Sequence, residues 1–150
     1  FYNIRLYIII NLFKKMISQK IIKIATDTRY SGLNNIFTHR SSIKNSLCGD
    51  KIKIEVIAKN TKIVSMRYET EACILCEASA SLMAKKFKNY SLRELKKVIN
   101  LLKENIKNKR SNFPSKFKEY KHLIIKDNDN RLNCVTLPLD CLLKAFKQIK

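Results

Sequence analysis

The chain has few of the residues that interrupt regular structure. Its 150 residues include only two glycines and two prolines, which argues against long flexible linkers and leaves most turns to Asn, Asp and Ser. Tryptophan is absent, and 12 acidic residues stand against 31 Lys and Arg. No apolar run reaches the roughly 20 residues needed to cross a bilayer; the best candidate, residues 1–13, is too short for a span. No small-residue cleavage site follows it, so it does not read as a secretory signal. Five cysteines, an odd and widely spaced set, do not form the close framework of a secreted disulfide scaffold, and reduced thiols are expected. What the chain does have is apolar material: 45% of residues, enough to offset chain ordering in one domain with its own core.

The net charge of +19 invites a nucleic-acid reading, because such binding draws on phosphate neutralisation. The excess is 24 Lys against 7 Arg, dispersed along the chain and accompanied by 20 Ile and 14 Asn. That mixture points to AT-rich coding. Arg is the residue expected where bidentate phosphate or base contacts are selected. No nucleic-acid partner and no membrane are therefore expected, although a diffuse positive field speeds encounter with an acidic protein.

Residues 1–15 are set apart as an N-terminal extension, not native to the working protein or disordered. Met16 stands just before the expected domain, 16–150. Ile17, Ile21, Ile22 and Ile24 have near-helical spacing, so 16–25 is read as a short helix. A loop with Gly32 covers 27–35, and 37–44 is a short edge strand. In 51–58, Ile52, Ile54 and Val56 alternate with polar residues. A turn at Asn60-Thr61 leads into a second strand, 62–68, making an antiparallel hairpin. Beyond Cys73 the pattern turns helical through Leu75, Ala78, Leu82 and Met83. Ser91 and Glu94 form a capping box for a helix reaching Ile106. Residues 107–131 read as a polar, irregular and mobile surface connection, and a last helix is expected to start near Pro138, with Leu139, Leu142, Leu143 and Phe146 as its apolar stripe. The layout is α+β: a small antiparallel sheet of about three strands with several helices on one face.

Three cysteines stand at element ends. Cys48 lies in Cys48-Gly49-Asp50, just before the strongest strand; Cys73 marks the change from strand to helix; Cys134 precedes the last helix. Loops at element ends aim side chains while the scaffold stays rigid. Thiolates suit zinc and iron–sulfur clusters, and Asp50 offers an oxygen as fourth donor. A helix start at Cys73 favours negative charge there. Cys73 and Cys76, three apart, face nearly the same way, so Cys76 is either near the site or a small buried residue. Cys141, beside Leu142 and Leu143, reads as core. His39 and His122 fall outside these segments and read as surface or satisfied side chains.

Asn45-Ser-Leu-Cys48-Gly49-Asp50 resembles the N-P-x-C-G-D motif of the NifU-like scaffold family. Ala72-Cys73-Ile-Leu-Cys76-Glu-Ala-Ser-Ala-Ser81 resembles its G-C-x-x-x-x-A-S-A-S segment, and Arg131-Leu-Asn-Cys134-Val-Thr-Leu-Pro138 its R-x-K-C-x-T-L-P. The resemblance covers residues 16–150 with the motifs in order. It implies a scaffold, with no turnover of a small substrate, that takes sulfur from a cysteine desulfurase and assembles a [2Fe-2S] cluster, or holds iron or zinc, on Cys48, Asp50, Cys73 and Cys134. Cys134 matches the persulfide-accepting position, and Arg131 a nearby Arg that helps dock partners or is a solvated loop charge. The cluster then passes to recipient apo iron–sulfur proteins. A bacterial cytoplasm, or the matrix of a bacterium-derived organelle, is the implied compartment.

The chain departs from the pattern at Ser46, where Pro is usual, at Ala72, where Gly is usual, and at Asn133, often His in IscU-like members and Lys in SufU-like ones. The L-P-P-V-K chaperone motif is absent, and the C-x-T-L-P tail and long 107–131 connection look SufU-like, without a dedicated Hsp70 partner. Alternatives are a zinc-bound sulfurtransferase partner that activates a SufS-type desulfurase, a basic nucleic-acid-binding domain, and a small domain that needs zinc only to fold.

Overall fold

The computed structural model describes residues 2–16, 19–124 and 131–147. Its centre is a three-stranded antiparallel sheet in the order β1 (His39–Lys44), β2 (Lys51–Lys59), β3 (Lys62–Glu71). Helices α1 (Tyr2–Met16) and α2 (Gln19–Ala25) precede it; α3 (Ile74–Lys86), α4 (Leu92–Lys107), a 3-10 helix (Ser115–Leu123) and α5 (Leu132–Lys147) follow. The α+β expectation holds. The segment set apart as an extension forms α1, along which Ile4, Leu6, Tyr7 and Ile8 are exposed. The expectations for Ile17 and for residues 125–130 fall outside the described residues.

Alternation in β2 does what it promised. Ile52, Ile54 and Val56 are fully buried, and the register Ile54↔Tyr68 and Val56↔Met66 puts Met66 and Tyr68 beside them. Asn60 and Thr61 close the hairpin with φ of 52° and 65°, the left-handed pair that matches strand twist. On the other face the loop after α2 is strapped down. Glu55, buried, accepts from the backbone N–H groups of Asn34 (3.0 Å) and Asn35 (3.1 Å), and Arg67 donates to Ser31 and Gly32 carbonyls, each at 2.7 Å.

The inner face carries α3 and α5. Small residues let neighbours approach α3: Ser79 Oγ donates to the Val135 carbonyl of α5 (2.6 Å), and Ser81 Oγ to the Asp27 carbonyl just after α2 (2.9 Å). The Ser91–Glu94 capping box is present at the start of α4.

Two expectations need correction. Residues 107–131 are not simply a polar surface connection, because Phe113, Phe117, Tyr120 and Leu123 are buried. Spaced four, three and three apart among lysines, they form an apolar stripe that packs against Phe87 and Tyr90, with Phe87–Phe117 ring centroids 5.1 Å apart. The last helix starts at Leu132, not near Pro138, which lies inside it. Burial of Leu132, Val135, Thr136, Leu137 and Leu139 holds that first turn helical, since packing outweighs propensity in short helices. Pro138 lacks the N–H that would have bonded the Cys134 carbonyl four residues earlier.

Truncating Phe117 tests the correction. If the segment is core, Phe117→Ala should cost about 3–5 kcal/mol, the range for buried aromatics, in chemical denaturation followed by circular dichroism. A change within about 0.5 kcal/mol, as at surface sites, would restore the reading of a loose connection.

Candidate metal centre

Asn45 builds the turn that carries the first two candidate donors. Its side-chain oxygen accepts from the Leu47 N–H (2.9 Å), its carbonyl accepts from Gly49 N–H (2.8 Å), and its own N–H donates to the Asp50 carbonyl (2.7 Å). An Asn side chain that mimics a backbone turn is the general reason for its place in such loops. Gly49 has φ of 75° with open space around its α-carbon, so its requirement is backbone freedom and not room. The turn leaves Cys48 exposed and Asp50 buried.

The other two cysteines stand at helix starts. Cys73 is the N-cap of α3 in an extended conformation (φ −68°, ψ 164°), and its side chain makes no capping bond. Cys134 is the third residue of α5, a placement that follows from the earlier start of that helix. Two helix N-termini, with their partial positive charge, therefore bear candidate anionic ligands.

Ligand atoms of Cys48, Asp50 and Cys134 all lie within 4.8 Å of one another. The Cys48 and Cys134 sulfurs are 3.9 Å apart, although 86 residues separate them in the chain. Cys73 is not in that mutually close group: its backbone N–H donates to Asp50 Oδ1 (3.2 Å), and its thiol is close enough to Cys134 to interact with it. Burial pushes the Cys134 thiol up, reinforced by its contact with the Asp50 carboxylate and by the neighbouring Cys73 thiol.

Asp50 Oδ2 supplies the test of whether these residues fit a metal. It is buried and has no hydrogen-bond partner of acceptable geometry, a condition that only the Tyr68 hydroxyl shares among the described residues. Leaving a buried polar atom unpaired costs on the order of 1–3 kcal/mol, more for a charged group. A carboxylate oxygen and two or three sulfurs around one point are a donor set that zinc or iron satisfies. The residues fit.

The remaining candidates are placed as follows. Cys76 is fully buried in the first turn of α3. Its thiol is pushed up by burial and by the charges of Asp50, Cys73, Glu77 and Cys48. It borders the site without joining the group of mutually close ligand atoms. Arg131 is exposed immediately before α5. Cys141 is buried against β1, with its carbonyl accepting from Ser41 Oγ at 2.5 Å. His39 packs on Phe146 (4.8 Å between ring centroids) and is not part of the donor group. Sequence reasoning missed Asn45 as the builder of the turn and the Cys73 N–H as the support of Asp50; the Asn two residues before Leu47 was the available signal.

Native alkylation checks this geometry without any metal. Iodoacetamide at about pH 8, near the ordinary thiol range, should label Cys48 first and leave Cys76, Cys134 and Cys141 unlabelled until denaturant is added, read by peptide mass mapping. Labelling of Cys134 as fast as Cys48 in the folded chain would contradict its burial.

The description "NifU-like N terminal domain" fits residues 16–124 of the chain. A curated relative, the iron–sulfur cluster assembly scaffold protein IscU of Thermotoga maritima, is 28% identical over 141 residues, covering 92% of this chain and 97% of that protein. Among solved structures, the N-terminal part of a NifU-like protein from Brucella abortus superposes with a TM-score of 0.81 at 19% identity, covering 91% and 96% of the two chains. A candidate scaffold for the SUF system from Fervidobacterium islandicum gives 0.76 at 19% identity, covering 88% and 97%. The structural likenesses speak to fold, and the fold agrees. Among the described residues no helix is long and apolar enough to cross a membrane. By its match over more than two thirds of its length, the chain belongs to the NifU-like N-terminal domain family.

Proposed function

We propose that this chain is an iron–sulfur cluster assembly scaffold whose working domain is residues 16–150. Cys48, Asp50, Cys73 and Cys134 hold its cargo, a [2Fe-2S] cluster or the iron for it. The observation that carries the reading is that a carboxylate oxygen of Asp50 and the sulfurs of Cys48 and Cys134 lie within 4.8 Å of one another, on a residue whose buried Oδ2 has no hydrogen-bond partner. Sulfur comes from a cysteine desulfurase persulfide. Cys134 attacks its outer sulfur, the donor's S–S bond breaks, a new one forms at Cys134, and the donor cysteine leaves as thiolate. Because Cys134 is 1% exposed, the 45–50 turn has to open for that transfer. Arg131, exposed next to α5, helps dock the donor. A carboxylate is a harder donor than thiolate, which suits cargo that must leave for recipient apo-proteins.

A second reading is a zinc-bound sulfurtransferase partner of a SufS-type desulfurase, favoured by a donor group of carboxylate and thiols that would also satisfy zinc. It agrees with the SufU-like tail Cys134-Val-Thr-Leu-Pro138 and with the absence of an L-P-P-V-K chaperone motif. Work in a bacterial cytoplasm, or in the matrix of an organelle of bacterial descent, accords with five free cysteines.

Anaerobic purification with a visible spectrum and metal analysis tests both. A sulfide-to-iron charge-transfer spectrum supports the scaffold, and zinc with desulfurase stimulation lost in Cys134→Ser supports the second reading. Cys48→Ser, Cys73→Ser and Cys134→Ser should each abolish retention, whereas Cys141→Ser should keep it. Equal loss in Cys141→Ser would sink the assignment.

A further inference from the structure

We propose that Cys48 and Cys134 are a modification site, joining in a reversible disulfide whenever the site holds no metal. The bond itself follows from geometry; its consequence for cargo rests on the scaffold reading. Their sulfurs are 3.9 Å apart, and a disulfide needs about 2.05 Å, so one side must travel about 2 Å. Cys48 is the side able to move: it is exposed, in a turn held by the Asn45 contacts, between the strands and clear of helix. Cys134 is fixed within α5 and buried. Cys73, the rival partner for Cys134, is held back by its place as N-cap of α3 and by its N–H bond to Asp50.

The oxidant is hydrogen peroxide or another two-electron peroxide. Cys48, the solvent-facing thiol, reduces it, giving Cys48 sulfenic acid and one water. The Cys134 sulfur then attacks the Cys48 sulfur, the S–O bond breaks, and a second water leaves with the thiol proton. Each sulfur gives up one electron and the peroxide takes two. Dithiothreitol reverses the bond by thiol–disulfide exchange. The oxidised chain loses two of its four donors at once, and metal and oxidant therefore compete for the same pair of sulfurs. Oxidation is restrained from running on to sulfinic acid because the resolving thiol is already in place.

Peroxide treatment of the full chain, stripped with a chelator and digested without reduction, tests the proposal by mass spectrometry. The expected product is a peptide pair joined through Cys48 and Cys134, lighter by two hydrogen masses and reversed by dithiothreitol. Cys48→Ser, an exposed change that leaves the fold intact, should abolish it; Cys141→Ser should not. Cys48 found as sulfinic acid with Cys134 free, or Cys134 joined to Cys73, would overturn the proposal. Saturating zinc should slow the cross-link at least tenfold, and an unchanged rate would overturn the competition. The joined pair in a chain that retains no metal in any preparation would remove the scaffold reading and leave the disulfide standing. Metal retention without a cross-link would do the reverse.

Discussion

The hydrogen bond from the Cys73 N–H to Asp50 Oδ1 ties the 45–50 turn to the start of α3, and the candidate centre depends on it. A bond to a charged acceptor contributes about 1.5–3 kcal/mol, yet it satisfies only one of the two carboxylate oxygens. The other is buried and left without a hydrogen-bond partner. Such an arrangement stabilises the turn and leaves a defined unmet demand, one that a bound cation would meet.

Around this contact the fold is stiff. The hairpin buries Ile52, Ile54, Val56, Met66 and Tyr68 on one face, and Glu55 and Arg67 strap the preceding loop to the other. Ser79 and Ala78 let α5 settle close to α3, with Ser79 Oγ on the Val135 carbonyl one residue beyond Cys134. That packing sets the distance between the two helix starts, and so between Cys73 and Cys134. The aromatic group of Phe87, Tyr90, Phe113, Phe117 and Tyr120 buttresses α3 from behind. Precision at the site comes from the packed layers, while the one exposed candidate donor, Cys48, sits on the part least enclosed.

Legibility in the sequence tracks how local each signal is. Period-two alternation in β2, the left-handed turn residue Asn60, and the Ser91–Glu94 box are decided within a few residues, and each stands where it is expected. The convergence of Cys48, Asp50 and Cys134 is suggested by their places at element ends and made specific by resemblance, because no spacing rule links thiols 86 residues apart. Two elements mislead for opposite reasons. Lysines hide the stripe Phe113, Phe117, Tyr120 and Leu123, whose period is helical once the charges are set aside. Pro138 suggests a helix start by its local preference, whereas the burial of Leu132, Val135 and Leu137 commits the chain to helix before it.

The charge balance bears on the same centre. Basic residues number 31 against 12 acidic ones, yet among the described residues only three carboxylates are in ion pairs. Asp27 takes Lys85 at 2.5 Å, Glu119 takes Lys86 at 2.7 Å, and Asp140 takes Lys103. Asp50 has none among the described ion pairs. Burial keeps lysine out, since a long cationic side chain drawn into that pit would lose its hydration for one carboxylate oxygen. Two helix N-termini supply only partial charge, which moderates repulsion among the donors without neutralising them. Of the two buried carboxylates among the described residues, Glu55 has both oxygens on the backbone N–H groups of Asn34 and Asn35. Asp50, by contrast, keeps Oδ2 without a partner beside thiols, a place where a desolvated cation with affinity for both sulfur and oxygen would make up the difference.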